Sequence, residues 1–304
     1  MDEQAVDAKV ASHYDAIAGE WHKQYQRENL ETSAEYPANY FRLQILTQRL
    51  AASRISRVYE IGVGEGTPLV TMAKMGFSVA GCDISQAMVA KARENFEANG
   101  LSPGLIQWGD IEDATTYAAQ LADGRFDAVI AAGVLPHIRN DRLFLRNLHM
   151  LLKPGGKVLI EFRNKLFSLF TFNRLTKEFI LDDLLRDVAS DVKAAVATEL
   201  DKRLALDLPR VRSTARDFSG REIAGPGYDL ILSKFHNPFE LMDVFRENGF
   251  RDVRVHWYHY HPALPMLESA LGERFRSEAM RLEHESSWRG FFLCSAGVIE
   301  AELA

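Results

Sequence analysis

Apolar positions along this chain follow two rhythms, short continuous runs that suit buried strands and runs with three- and four-residue spacing that suit helices. Val6 to Arg27 reads as helical, with Val10, Tyr14, Ile17 and Trp21 on one stripe and Gly19 as a candidate break. Glu35 to Asn39 interrupts the pattern, and Tyr40 to Ala52 resumes it with Phe41, Ile45, Leu46 and Leu50. Short apolar runs then recur at Val58 to Ile61, Phe77 to Cys82, Leu105 to Trp108, Phe126 to Ala132 and Lys157 to Phe162. Helical spacing fills the gaps, at Leu69 to Met75, from the candidate N-cap Ser85 to Asn99, at Ala114 to Leu121 and at Asp141 to Leu152. Strand, helix, strand with short helices demands parallel, right-handed crossovers, which bring the C-terminal strand ends to one edge of a sheet. That edge is where an open α/β sheet binds ligands.

Beyond Lys165 the rhythm changes. Phe167, Leu169, Phe170 and Phe172 cluster, Asp182 to Leu206 has helical spacing closed by Leu208-Pro209, and Gly225-Pro226-Gly227 ends the segment. Arg210, Arg212, Arg216 and Arg221 are interspersed with Asp217 and Glu222, which suits a solvated or lid-pairing face better than an anion site. A stretch this long at the ligand edge predicts a mainly helical cap over 165–234 that encloses a substrate and could support contacts in a homodimer. The core pattern returns with a helix from Phe239 to Asn248, a strand from Phe250 to Tyr260, a second helical insertion from about Leu267 to His284, and a last strand from Phe291 to Ile299.

The stretch Val58-Tyr-Glu-Ile-Gly-Val-Gly-Glu-Gly66 carries the sharpest chemistry. A buried strand runs into Gly62, Gly64 and Gly66, where backbone lacking Cβ atoms can approach a nucleotide-like ligand. Thr67 and Pro68 open the next helix. A dinucleotide-binding turn prefers Gly-x-Gly-x-x-Gly. Here the third glycine comes one residue earlier, and the acid Glu60 precedes the first, which suits a positively charged ligand better than a pyrophosphate. Asp83 closes the second strand 17 residues after Gly66 and can accept two hydrogen bonds from a ribose diol, or serve as a turn residue.

The Glu-x-Gly-x-Gly-x-Gly pattern resembles motif I of the class I S-adenosylmethionine-dependent methyltransferases. The resemblance implies a Rossmann-like seven-stranded sheet flanked by helices, with the last strand antiparallel between the fifth and sixth. It implies S-adenosylmethionine as cofactor and S-adenosylhomocysteine as product. It also assigns Asp83 and Ile84 to the ribose edge, and Asp110 and the backbone of Ile111, in Gly109-Asp110-Ile111, to adenine. Gly133, in Gly133-Val134-Leu135-Pro136-His137, falls at the family's fourth strand end beside the transferable methyl. Leu152-Lys-Pro-Gly-Gly156 before an apolar strand extends the match, as does Tyr14-Asp-x-Ile-Ala-x-x-Trp21, which resembles the leader helix that folds over the cofactor. Tyr14 and Trp21 serve equally as core packing. The expected organisation is 1–57 covering the cofactor site, 58–164 and 235–304 as the methyltransferase core, and 165–234 as the cap.

His137 is the titratable residue at the fourth strand end and a candidate general base, the alternative being a turn-shaping hydrogen bond. Arg163 and Asn164 stand at the fifth strand's active edge as candidates for substrate recognition. In His256-Trp-Tyr-His-Tyr-His261, alternation predicts His259 and His261 on the face of Trp257, with His256, Tyr258 and Tyr260 on the other. With His236, the residues Tyr258, His259 and His261 suit stacking and hydrogen bonding to a polar ring such as a sugar. No metal site is expected.

The chain has 304 residues, 47% hydrophobic and 26% charged, the composition of an ordinary globular protein. Its net charge of −6 argues against a general nucleic-acid surface. No apolar run approaches the roughly 20 residues of a membrane span, and the N-terminus does not begin a signal peptide, so a cytoplasmic protein is expected. Cys82 and Cys294 fall in apolar strand-like runs, as buried thiols do. The preferred function is methyl transfer to an oxygen of a small molecule, a sugar or glycosylated metabolite first. The alternatives are an N-methyltransferase of an amino sugar or small amine, and a non-catalytic adenosyl-binding subunit.

Overall fold

The computed structural model describes residues 3–17, 21–27, 30, 36–122, 124–204, 213–216, 221–284 and 286–304. Five parallel strands form the centre: β1 (Arg57–Ile61), β2 (Ser78–Asp83), β3 (Ile106–Trp108), β4 (Phe126–Ala131) and β5 (Leu152–Arg163). A small antiparallel hairpin follows, β6 (Thr214–Arg216) with β7 (Glu222–Pro226). The long strands β8 (Phe250–Tyr260) and β9 (Cys294–Leu303) complete a seven-stranded sheet in the order β3-β2-β1-β4-β5-β9-β8. β9 is antiparallel to both β5 and β8. The reversal of strand order between β1 and β4 opens a crevice at their C-terminal ends.

Helices cover both faces, which is why the central strands read as nearly continuous apolar runs. α1 (Glu3–Ile17) leads the chain. α2 (Ala38–Ala51), α3 (Thr67–Lys74) and α4 (Gln86–Ala98) pack Leu46, Leu50, Leu69, Met72 and Phe96 against Val58, Ile130, Leu159 and Val298. On the other face α5 (Asp141–Leu151) and the helix Pro238–Glu247 bury Phe144, Leu148 and Phe245 against Tyr59, Val129, Ile160 and Ile299. Ser85 caps α4 by accepting from the Met88 amide at 3.1 Å, as its position predicted. Cys82 and Cys294 are buried free thiols.

Several elements differ from the sequence expectation. The last strand begins at Cys294 and runs to Leu303, because Gly290–Leu293 forms a helical turn first. The predicted helix Val6–Arg27 is α1 followed by a 3-10 turn, Trp21–Tyr25; Gly19 and the side chain of Trp21 lie outside the described residues. Ala114–Leu121 is two 3-10 turns, and the helix expected from Leu267 breaks at Gly272, which has φ +52°. In the 165–234 segment the helix expected over 182–206 is a π-turn, Phe179–Leu184, and a helix, Ser190–Arg203. That segment also holds the β6/β7 hairpin, which short polar strands did not signal. Arg210, Arg212, Asp217 and Leu208-Pro209 lie outside the described residues, whereas Arg216 pairs with Glu222 at 3.0 Å.

The alternation expected for 256–261 fails at one residue. His259 has φ +59°, unusual for a residue other than glycine inside a strand. Its turn places Tyr260 in the same core cluster as Trp257 rather than beside Tyr258. Among the described residues, no helix is long and apolar enough to cross a membrane.

Candidate active site

A cavity with about 940 Å³ of space, its open mouth included, lies at the C-terminal ends of β1, β2 and β4. Its floor is the β1–α3 turn. Gly62 has φ +69° and Gly64 φ +54°, conformations that favour glycine. A Cβ on Gly62 would stand 2.4 Å from Cγ2 of Val134, so β1 and the β4 loop approach only because the side chain is missing. Gly66 differs from its two companions. It faces Ala92 and Phe96 of α4, at 3.3 Å from a built Cβ, and is not among the residues lining the cavity, so it serves helix packing.

Four carboxylates line this space, Glu112 among them and paired with Arg139 at 3.2 Å. Asp83 is buried and accepts from the amides of Gly64 and Ser85, each at 2.8 Å. One contact per oxygen leaves a lone pair on each for another donor. Burial pushes the Asp83 carboxyl up to about 6, with the two amides opposing. Glu60 is buried at the end of β1, and its Oε2 has no hydrogen-bond partner among the described residues. Desolvation raises the Glu60 carboxyl well above its ordinary value, while nearby Arg42 works against that rise. Asp110 accepts from the Glu112 amide at 2.9 Å, and burial raises its pKa. Ile84, Ile111 and Gly133 line the same cavity.

His137 and Tyr14 stand at its far wall. Nδ1 of His137 lies 2.5 Å from the carbonyl of Leu232, so the ring proton belongs on Nδ1. Nε2 then accepts from the hydroxyl of Tyr14 at 2.9 Å. Burial lowers His137 to about 4, leaving the ring neutral with its basic nitrogen toward α1. The Tyr14 hydroxyl is raised strongly, by burial first and by Tyr228 next.

The donor set fits an S-adenosyl ligand. An unpartnered buried carboxylate suits an ammonium group, a doubly accepting acid suits a diol, and glycine backbone lets the ligand lie close. Residues 59–160 match a family described as the methyltransferase domain. The core is a class I S-adenosylmethionine-dependent methyltransferase domain. This methyltransferase is 29% identical over 184 residues to the ubiquinone biosynthesis O-methyltransferase of Pseudomonas aeruginosa (strain LESB58), covering 60% of this chain and 74% of that one. The protein of the same name from Dinoroseobacter shibae is 26% identical over 212 residues, 66% of this chain and 82% of that one. Among solved structures, the magnesium protoporphyrin IX methyltransferase of Synechocystis PCC 6803 with bound S-adenosylhomocysteine superposes with a TM-score of 0.51 at 15% identity, covering 98% and 100% of the two chains. At that identity the likeness concerns the fold alone.

The candidate substrate residues separate into two groups. Asn164 is used up internally: its amide donates to the carbonyls of Phe291 and Cys294, both at 2.8 Å, and its Oδ1 accepts from Leu166. His236 bonds Asp141 through Nε2 at 3.2 Å, and its backbone bridges to Asn164. Neither lines the methyltransferase cavity. Their strand-end positions served loop architecture, a use that sequence position does not distinguish from recognition.

Arg163, Tyr258, His259 and His261 are not among the lining residues either, but Arg163 reaches the cavity wall through one shared neighbour, the Tyr228 ring that also packs against His137. Tyr258 is buried beside Glu161 and Arg42, which pair with each other at 3.3 Å, and Glu161 also accepts from the Gly133 amide. His259 stacks on Tyr36 with centroids 4.7 Å apart and on His261 at 4.8 Å. Sequence reasoning missed Arg42, Glu161, Tyr228 and Tyr36. Alternation back from Arg163 would have exposed Glu161, two residues earlier on the same face. Nothing local marks Tyr228, whose place follows from tertiary packing.

Proposed function

We propose that this methyltransferase transfers a methyl group from S-adenosylmethionine to an oxygen of a small molecule at the wall formed by Gly133, His137 and Tyr14. The observation that carries the cofactor side is the buried, unpartnered Oε2 of Glu60 beside the glycine turn. Glu60 would hold the amino group, Asp83 the ribose hydroxyls, and Asp110 with the Ile111 backbone the adenine. When bound, the cofactor supplies a methyl group made electrophilic by its positively charged sulfur. The chain's own contribution is to align the acceptor oxygen with that methyl in a dry cavity, the largest expected source of acceleration. His137 would receive the hydroxyl proton at Nε2, which a neutral ring held by Leu232 can do without losing its orientation. Oxygen as acceptor is favoured over nitrogen by the activity in the relatives' names.

Residues 1–57 act in this reading as a cover over the cofactor, because Val10 and Tyr14 of α1 line the cavity. The 165–234 segment acts as a cap, its β7 packing on α1. A sugar or glycosylated metabolite is the acceptor favoured by the stacked rings of Tyr36, His259 and His261. Titration calorimetry with S-adenosylmethionine, S-adenosylhomocysteine and NAD tests the cofactor, with binding of the adenosyl pair alone expected. Radiolabelled methyl transfer to sugars, phenols and amines tests the acceptor, and label appearing only on amines would overturn the oxygen assignment.

A further inference from the structure

Arg163 ends β5 two residues after Glu161, and both side chains leave the same face of the sheet. Glu161 pairs with Arg42 and accepts from the Gly133 amide. The guanidinium of Arg163 has no such partner. Among the described residues it makes no hydrogen bond and no ion pair, and its close contact is the ring of Tyr228, 4.5 Å from Cζ. By contrast Arg42, Arg49 and Arg139 pair with Glu161, Glu300 and Glu112. A half-buried guanidinium offers five donors, and an aromatic face attracts its charge without accepting those in-plane hydrogens.

A second unpaired group stands nearby. Arg163 pairs with Ala296 in β9, and Ala296 pairs with Tyr258 in β8, so Arg163 and Tyr258 share one row two strands apart, about 10 Å. His259 is the next residue, and its positive φ turns the ring out of the strand's alternation and onto Tyr36. Neither nitrogen of that ring has a hydrogen-bond partner among the described residues, and the ring feels the charge of Arg163. Strain of this kind in a strand persists where the surrounding structure holds it, and it clusters at ligand sites. The ring of Tyr228 contacts both Arg163 and His137, with centroids 5.7 Å apart in the latter pair. The unpaired cation and the candidate base therefore flank one ring.

We propose that Arg163 and His259 form an anion subsite, and that the acceptor carries a carboxylate or phosphate held there while its hydroxyl faces His137. This inference rests on the oxygen-methylation reading of the cavity at His137, which Arg163 adjoins through the Tyr228 ring, and names the acceptor's class. A neutral sugar would leave the guanidinium without acceptors. A sugar acid or a phosphorylated sugar would supply them, with Arg163 giving the paired, planar contact that such groups favour.

The test is equilibrium binding to the full chain saturated with S-adenosylhomocysteine, which does not depend on turnover. The probes are glucuronic acid with its methyl ester, glucose 6-phosphate with glucose, and 3-hydroxybenzoate with its methyl ester. The expected result is that an anionic member binds about tenfold or more tighter than its neutral partner, that R163Q abolishes this preference, and that R163K and H259N reduce it in part. The carboxylate and phosphate arms identify which anion is preferred. S-adenosylhomocysteine affinity should be unchanged in all three variants, which also reports that they fold. Equal binding of every charged and neutral pair, or an equal loss of both in R163Q, overturns the subsite. Failure of the adenosyl ligand to bind the wild-type chain overturns the methyltransfer reading instead.

Discussion

The hydroxyl of Tyr14 donates to Nε2 of His137 at 2.9 Å, joining the first helix of the chain to the loop after β4. The contact caps the one nitrogen of His137 that can take a proton, since Nδ1 is committed to Leu232. Replacing Tyr14 by Phe should free Nε2 while leaving the packing of the ring. Should the acceptor hydroxyl displace Tyr14 during turnover, Y14F retains its activity. Loss of kcat by more than about tenfold would instead give the phenol a part in proton transfer.

His137→Ala should lower kcat by about 10² or more with little change in cofactor affinity, the size of effect usual for a general base. The pH profile supplies an independent check. With the ring pushed down to about 4, the wild-type rate should be level in pH from 6 to 8 and fall only as acid protonates Nε2 near 4. Steady-state rates across pH decide this, and a limb near neutrality would assign the titration to another group.

Cofactor affinity should weaken as pH falls through about 6, because Asp83 must be ionised to accept from two hydroxyls and burial has raised its pKa to that value. Asp83→Ala should bind S-adenosylhomocysteine far more weakly, and Asp83→Asn should lose the pH dependence. Calorimetry at pH 5 and pH 8 reads both effects.

Glu60→Gln should stabilise the ligand-free protein and weaken S-adenosylmethionine binding together. The buried carboxylate lacks a partner on Oε2, and its folded pKa lies well above its ordinary value. Its favourable contribution is therefore complete at low pH and is lost as pH rises above the unfolded value near 4.5. The gain in melting temperature of E60Q over wild type should widen with pH, whereas a gain that is constant in pH would separate it from ionisation.

His261 is held at about 4 by burial, below its unfolded value near 6.5. The unfolded chain then binds more protons between those limits, so this residue costs stability as pH falls from about 6.5 to about 4. Glu283, raised to about 7, acts in the opposite direction, losing its contribution as pH rises through that value. The difference in melting temperature between wild type and His261→Asn isolates the first effect, and it should shrink or reverse toward acid pH.

How far the chain could be read from its letters differed by region. The central strands and their glycine turn were legible because buried parallel strands and left-handed glycines leave local signatures. Ser85 was legible for the same reason, as a helix N-cap with one dominant chemistry, and so was the place of Asp83 at the end of β2. The hairpin Thr214–Arg216 with Glu222–Pro226 was not, since short strands held by packing on α1 carry no alternation long enough to detect. His259 shows a different limit. A single positive φ reversed the face assigned to Tyr260, and periodicity assumes that no such residue occurs. Arg42 and Glu161 meet across 119 positions, a pairing that spacing along the chain does not encode.

The helix α1, which gives the cavity Val10 and Tyr14, is fastened to a segment remote in sequence. Nδ1 of His13 in α1 lies 2.7 Å from the carbonyl of Pro226 at the end of β7, and a Cβ on Gly225 would stand 2.7 Å from that of Ala16. Asp15 on the same helix bonds Ser85 at the start of α4. Neither segment can swing aside alone without breaking its tie to the other. If α1 covers the cofactor as proposed, exchange of spent for fresh cofactor would then draw the hairpin and the start of α4 along with the helix, one coupled movement and not the fraying of a single end.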